Sequence, residues 1–235
     1  MHAAPESDLL PQLAPLDTTS LYIPLRAAVL ARLKEAIIND VLKPGMVLRE
    51  NAIAIQFSVS RTPVREAIRM LEQEKLVTLL PGRKIVVSTP DRQDIAEIYD
   101  IRLVLETEAL RRITVERSDI LGKLRDCVSR SKTAIANRDS EQLRTINTEF
   151  HTVLTSSLEN KRMRHFLESV YDLIYRFRAY SLEDARWAEQ GVREHEELVN
   201  LLAAGQQDQA IAMLRNHLNH AKDILMTKFA ASGTK

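Results

Sequence analysis

Ser58-Val59-Ser60-Arg61-Thr62-Pro63-Val64-Arg65-Glu66-Ala67-Ile68-Arg69-Met70-Leu71-Glu72 is the stretch from which the rest of the chain is read. Val64, Ile68 and Leu71 recur at helical spacing and make one apolar stripe. Arg61, Arg65 and Arg69 are spaced four apart and share another face. Ser60 or Arg61 sits near the cap, and Pro63 occupies the first turn, where its missing N–H costs nothing. The pattern predicts a helix from about Thr62 to Glu74. Three arginines on a helix read most simply as a solvated basic face. The order of elements around them argues for more.

On the N-terminal side, residues 1–20 carry Pro5, Pro11 and Pro15, show no periodicity and read as a flexible tail. A helix is predicted from Pro24 to Asp40, ended by Lys43-Pro44-Gly45, and a short one near Glu50–Phe57. On the C-terminal side, Leu76–Leu80 and Ile85–Ser88 read as strands joined by Pro81-Gly82-Arg83-Lys84, a small hairpin or wing. Two helices followed by a third that starts with small polar and basic residues form a helix-turn-helix pattern. The start of that third helix meets base edges in such units, while basic side chains meet phosphates. Residues 21–89 are therefore expected to be a winged helix-turn-helix domain of three helices plus a β wing. Beyond Ser88-Thr89-Pro90 the pattern is helical to the end, near 92–117, 119–137, 140–157, 160–179, 188–204 and 206–230. Residues 90–235 thus read as an all-α bundle of about six helices, and the whole chain as mainly α.

The net charge of +1 conceals an asymmetry. Residues 1–20 carry −3, residues 21–89 carry +5 from 11 Lys and Arg against 6 Asp and Glu, and residues 90–235 carry −1. Only the middle segment is suited to a polyanion. A single cysteine, Cys127, excludes a disulfide framework and fits a reducing compartment. No apolar run approaches the roughly 20 residues that span a bilayer, and the N-terminus does not read as a secretory signal. A cytoplasmic protein without membrane contact is expected.

The run Leu48-Arg49-Glu50, followed by Ser58 to Glu72, closely resembles the GntR family of bacterial transcription regulators. The resemblance implies a homodimer on a palindromic operator, with the recognition helix in the major groove and the wing tip at the minor groove. It implies DNA contacts from Ser60, Arg61, Thr62, Pro63, Arg65 and the wing-tip Gly82; Arg69 projects from the same helix. Three positions depart from the pattern. Asn51 stands where relatives often carry a DNA-contacting arginine, Ser58 replaces a turn glycine, and Lys84 replaces a wing glycine. Lys84 offers a compensating phosphate contact.

Residues 91–230 resemble the FadR-type helical ligand-sensing domain of these regulators, the FCD domain, through Asp94 to Glu106, Asn147 to His151, Glu194-His195 and His217-Leu218. Asn147 and His151 are four apart on one helix face, while His195 and His217 lie on the apolar faces of two others. Singly, each histidine reads as a core residue satisfied by a hydrogen bond. Together they can converge and hold a divalent ion such as Zn, Ni, Fe or Cu. In relatives of this type the ligands are an Asp and three His, and an effector carboxylate often completes the set. Here the aspartate position is Asn147, a neutral and weaker donor. Either its amide oxygen helps to hold the metal, or the pocket is metal-free and the histidines meet the effector directly. His165 and His220 read as surface or supporting residues. Arg102 is the candidate for binding a small carboxylate effector bidentately, and an internal ion pair with Glu106 is the competing reading. Arg176 and Arg178 are further pocket candidates.

Three functions follow from these residues: a repressor modulated by a small organic acid, a direct metal-ion sensor, or a metal-dependent hydrolase on a helical bundle. No Gly-rich phosphate loop, nucleophile elbow or HExxH motif supports the last, so an enzyme is not expected.

Overall fold

The computed structural model describes residues 10–16, 23–89, 91–181 and 185–231. Its contacts divide the chain into two compact units, residues 1–89 and 90–235.

In the first unit, helix α1 (Leu25–Ile38) begins after Pro24 and buries Val29, Leu33 and Ile37, one face at four-residue spacing. Helix α2 (Glu50–Gln56) contributes Ile53 and Ala54. Helix α3 (Arg61–Gln73) buries Val64, Ala67, Ile68 and Leu71, so its arginine face is left outward. Strands β2 (Val77–Leu80) and β3 (Lys84–Val87) form the expected hairpin, with Leu80 opposite Lys84. A third strand, β1 (Val47–Leu48), pairs antiparallel with the other edge of β3, giving the order β1-β3-β2. Two residues carry no readable alternation, so the sequence pattern predicts two strands where the sheet has three. The turn Pro81–Arg83 holds Gly82 at φ 78° and Arg83 at φ 62°. Within the segment read as a tail, Leu13 is buried and the Pro11 carbonyl accepts from Gln56 Nε2 at 3.2 Å.

Ser58 follows the C-cap Phe57 with φ 55°. Its N–H donates to Ile55 O at 3.1 Å and the Val59 N–H to Ala54 O at 2.9 Å, the paired bonds of a Schellman ending. That left-handed position is one a glycine fills without the Cβ penalty. Ser58→Gly is expected to raise the stability of this unit by about 0.5–1 kcal/mol. The exposed hydroxyl gives up no packing. A lower midpoint in urea would refute this.

The second unit contains α4 (Arg92–Arg111), α5 (Ser118–Ala136), α6 (Ser140–Thr155), α7 (Lys161–Ser181), α8 (Ala185–Ala203) and α9 (Gln207–Ala231). Asp91 and Asp94 form a reciprocal capping box that starts α4 directly after the linker. Sequence periodicity carries this helix to residue 117, yet it ends at Arg111. Ile113 turns into the core with no exposure, and Gln207 of α9 donates its amide to the Leu110 and Ile113 carbonyls. Those acceptors are satisfied from another helix, which removes the gain from continuing α4. Helix α4 packs on α9, α5 on α6, and α8 on α9, around a core of Leu, Ile, Val and Ala with Phe150 and Trp187. Among the described residues no helix is long and apolar enough to cross a membrane.

Candidate functional site

The first unit carries an open groove of about 1170 Å³ between α2, α3 and the hairpin. Arg61, Arg65 and Arg69 line it from α3, Arg83 and Lys84 from the turn and β3, and Arg49 and Asn51 from the start of α2. Ser60, the N-cap of α3, and Thr62 are exposed, and Pro63 is half-buried in the first turn. At Gly82 nothing lies within 4 Å of where a Cβ would stand, so glycine serves the backbone conformation there and the turn's tip is open. The arginine row and Lys84 are where the sequence pattern predicts them, whereas Glu50 stands among them without a local signal for its partners. Its carboxylate accepts from Arg65 Nε at 3.2 Å, Arg65 Nη2 at 3.1 Å and Arg61 Nη2 at 3.5 Å. These hydrogen bonds, Arg65's first, hold the Glu50 carboxyl below its ordinary range. Fifteen positions separate Glu50 from Arg65, and only the packing of α2 on α3 brings them together.

In the second unit, one ring nitrogen each from His151, His195 and His217 lie within 4.8 Å of one another, and all three side chains are buried. His151 comes from α6, His195 from α8 and His217 from α9, each on the inward face its neighbours predict. His151 Nδ1 meets Glu106 Oε2 at 2.7 Å, and His217 Nδ1 meets Glu194 Oε2 at 2.8 Å. Burial pushes the Glu106 carboxyl up, but Arg102 and His151 outweigh it and leave the group well below the carboxylate range. Glu194 is likewise raised by burial and lowered further by His217, Gln190 and His220, down to about 2. Ionised carboxylates only accept hydrogen bonds, so Nδ1 of both rings donates and Nε2 is the atom left to offer a metal a lone pair. His195 Nε2 stands 3.2 Å from His217 Nε2, with its ring stacked on Phe150 at 3.9 Å. Inward lone pairs backed by carboxylates at the outer nitrogen are the usual arrangement of metal-binding histidines. The residues present fit a divalent ion.

Asn147 lies half-buried, one turn before His151, on the wall of an adjoining cavity of about 20 Å³. Arg102, Tyr99, Trp187, His151 and His217 also line that cavity. The volume holds one water or one ion. Arg102 is 2% exposed and donates Nε to Glu106 Oε1 at 2.8 Å, so the ion pair weighed from sequence is formed. Its Nη2 is buried and makes no hydrogen bond among the described residues. The guanidinium also rests over the Tyr99 ring at 4.9 Å. The side chains of Arg176 and Arg178 lie outside the described residues. His220 is half-exposed and reaches Glu194 Oε1 at 3.2 Å, a supporting contact, and His165 is exposed on α7. Glu194 had no role in the sequence reading, although it directly precedes His195.

A family model of bacterial regulatory proteins, the gntR family, matches residues 25–87, and the FCD domain matches residues 97–220. The HTH-type transcriptional regulator YdhC of Bacillus subtilis (strain 168) is 31% identical over 192 residues, 80% of this chain and 85% of that protein. The gluconate operon transcriptional repressor of the same organism is 32% identical over 129 residues, 54% of this chain and 53% of its own length. Among solved structures, a GntR transcriptional regulator from Rhodococcus sp. RHA1 has a TM-score of 0.75 at 26% identity, covering 86% of this chain and 97% of that one. These relatives are DNA-binding transcription regulators and not enzymes, which removes the hydrolase reading. The chain belongs to the GntR family of bacterial transcription regulators, with an FCD domain following its winged helix-turn-helix.

Proposed function

We propose that this regulator is a cytoplasmic repressor that binds a palindromic operator as a homodimer and is modulated by a small organic acid together with a divalent metal ion. The observation that carries the sensing half is the buried trio of His151, His195 and His217 with two Nδ1 atoms held by ionised carboxylates. Such a trio would hold the ion, with Asn147 as a neutral fourth donor, and the ion would supply a Lewis acid for a carboxylate oxygen. Arg102 lines the same cavity with a buried Nη2 that has no hydrogen-bond partner among the described residues, and supplies a cationic donor for the acid's carboxylate. A relative that represses a gluconate operon supports a small organic acid as the signal.

For the DNA half, Ser60 at the N-cap of α3 and Arg61, Thr62, Pro63, Arg65 and Arg69 within it meet the major groove, and Gly82 at the turn meets the minor groove. One winged helix reads a half-site, so two copies stand about one helical turn apart. The direct test is Arg65→Ala against a duplex that the wild-type chain selects from a random pool. Losing a base or phosphate contact costs about 1–3 kcal/mol, so affinity should fall about tenfold or more at matched salt. Light scattering of the wild-type complex should give two chains per duplex. Unchanged affinity, or one chain per duplex, refutes the assignment.

A second reading, a sensor of the metal ion itself, is favoured by the cavity's volume of about 20 Å³, which accommodates an ion and no organic acid without side-chain movement. Metal alone would then change operator affinity, whereas the first reading requires metal with acid.

A further inference from the structure

Glu50 is the one anion among the described residues that line the groove, facing six cations there: Arg49, Arg61, Arg65, Arg69, Arg83 and Lys84. It is 20% exposed, and it grips Arg65 through both carboxylate oxygens, at 3.2 and 3.1 Å, while its Oε2 also reaches Arg61 at 3.5 Å. Arg65 and Arg61 are themselves 51% and 59% exposed, so without Glu50 each would sample many rotamers. A carboxylate in a groove that faces DNA repels phosphates and lowers affinity for every duplex alike. The compensation is geometric. An arginine fork discriminates guanine only when its plane is fixed against the O6 and N7 acceptors, while a mobile guanidinium is satisfied by any phosphate. With Nε and Nη2 committed to Glu50, the remaining Arg65 donors point in a set direction.

We propose that Glu50 is a specificity-determining positioning residue, whose two-oxygen grip on Arg65 and contact with Arg61 aim these side chains at base edges and withhold them from phosphates. This role rests on α3 being the helix that meets DNA. It predicts that Glu50 weakens binding to unrelated DNA more than binding to the operator.

The test uses the full chain, wild type and Glu50→Gln, on two duplexes: one selected by the wild-type chain from a random pool, and one scrambled from it at equal composition. Glutamine keeps the volume and one acceptor oxygen but loses the charge and the two-oxygen grip. Expected for Glu50→Gln is about tenfold tighter binding to the scrambled duplex, with the selected duplex held within about threefold, so that the specificity ratio falls about tenfold. The salt slope on scrambled DNA should steepen by about 1–2, as Arg65 and Arg61 turn to phosphates. A merely structural glutamate would not move that slope. An unchanged ratio, or equal loss on both duplexes with a lowered melting temperature, overturns the proposal. If the wild-type chain enriches no duplex, the DNA reading of α3 falls and Glu50's role with it. Enrichment with an unchanged ratio removes Glu50's role alone.

Discussion

Glu106→Ala is expected to cost the helical unit about 3–5 kcal/mol of folding stability. Glu106 is wholly buried and receives Arg102 Nε at 2.8 Å, His151 Nδ1 at 2.7 Å and the Tyr171 hydroxyl at 3.4 Å. Its removal strands the Arg102 guanidinium as a buried cation whose nearest anion is gone, and it also opens a cavity. Breaking such a pair differs from replacing it. The double variant Arg102→Met with Glu106→Leu should recover part of the loss, because apolar side chains of similar volume need no counter-charge, while the buried His151 Nδ1–H still lacks its acceptor. Urea unfolding followed by far-ultraviolet circular dichroism gives both numbers. A single variant within about 1 kcal/mol of wild type would mean that the pair contributes far less than its burial implies. The pH dependence has a fixed sign. The folded carboxyl lies below its unfolded value, so the unfolded chain binds the proton more readily. The stabilisation is therefore present above about pH 4.3 and is lost as the pH falls toward the folded value.

The same carboxylate shows where sequence reading stops. Helix α3 was legible because its two faces differ in character at every turn, and the inward placement of His151, His195 and His217 was legible because each sits among Leu, Ile or Val at helical spacing. Periodicity is a local property, and it reports which face a residue occupies. It does not report which residue of another helix stands opposite. Glu106 and His151 are 45 positions apart, Glu194 and His217 are 23 apart, and Glu50 and Arg65 are 15 apart. Each pair depends on the packing of different helices, so local periodicity could not pair these carboxylates with the histidines and arginines they touch. The Arg102–Glu106 pair is the exception, since residues four apart on a helix meet without tertiary help. The ends of elements failed for a related reason. Helix α4 stops early where Gln207, nearly one hundred residues away, meets the Leu110 carbonyl in its last turn and the Ile113 carbonyl just beyond it. Strand β1 exists only as the partner of β3.

The remaining large effect concerns charge at the histidine trio. Imidazoles and the Asn147 amide offer a dication no anionic ligand atom, and the buried Arg102 beside them adds a positive charge that is paired with Glu106, while Glu194 reaches the trio only through His217 Nδ1. A metal held there should therefore bind weakly alone and more tightly with a carboxylate, and by reciprocity the acid should bind more tightly with the metal. Couplings of this kind are typically about 5–150-fold. Trp187, the chain's single tryptophan, lines the cavity and stacks on His217 with ring centroids 5.9 Å apart, so its fluorescence reports occupancy. Titrating zinc or nickel with and without lactate or gluconate measures the coupling in the wild-type chain. His217→Ala should weaken metal binding by on the order of 10²-fold, since it deletes one of only three strong donors and idles Glu194. Asn147→Asp should tighten metal binding by at least about tenfold without acid, because it restores an anionic ligand, and should shrink the coupling because the acid's charge is no longer needed. If Asn147→Asp leaves metal affinity unchanged while His217→Ala binds the acid as the wild type does, the histidines are structural and the acid site belongs to Arg102 alone.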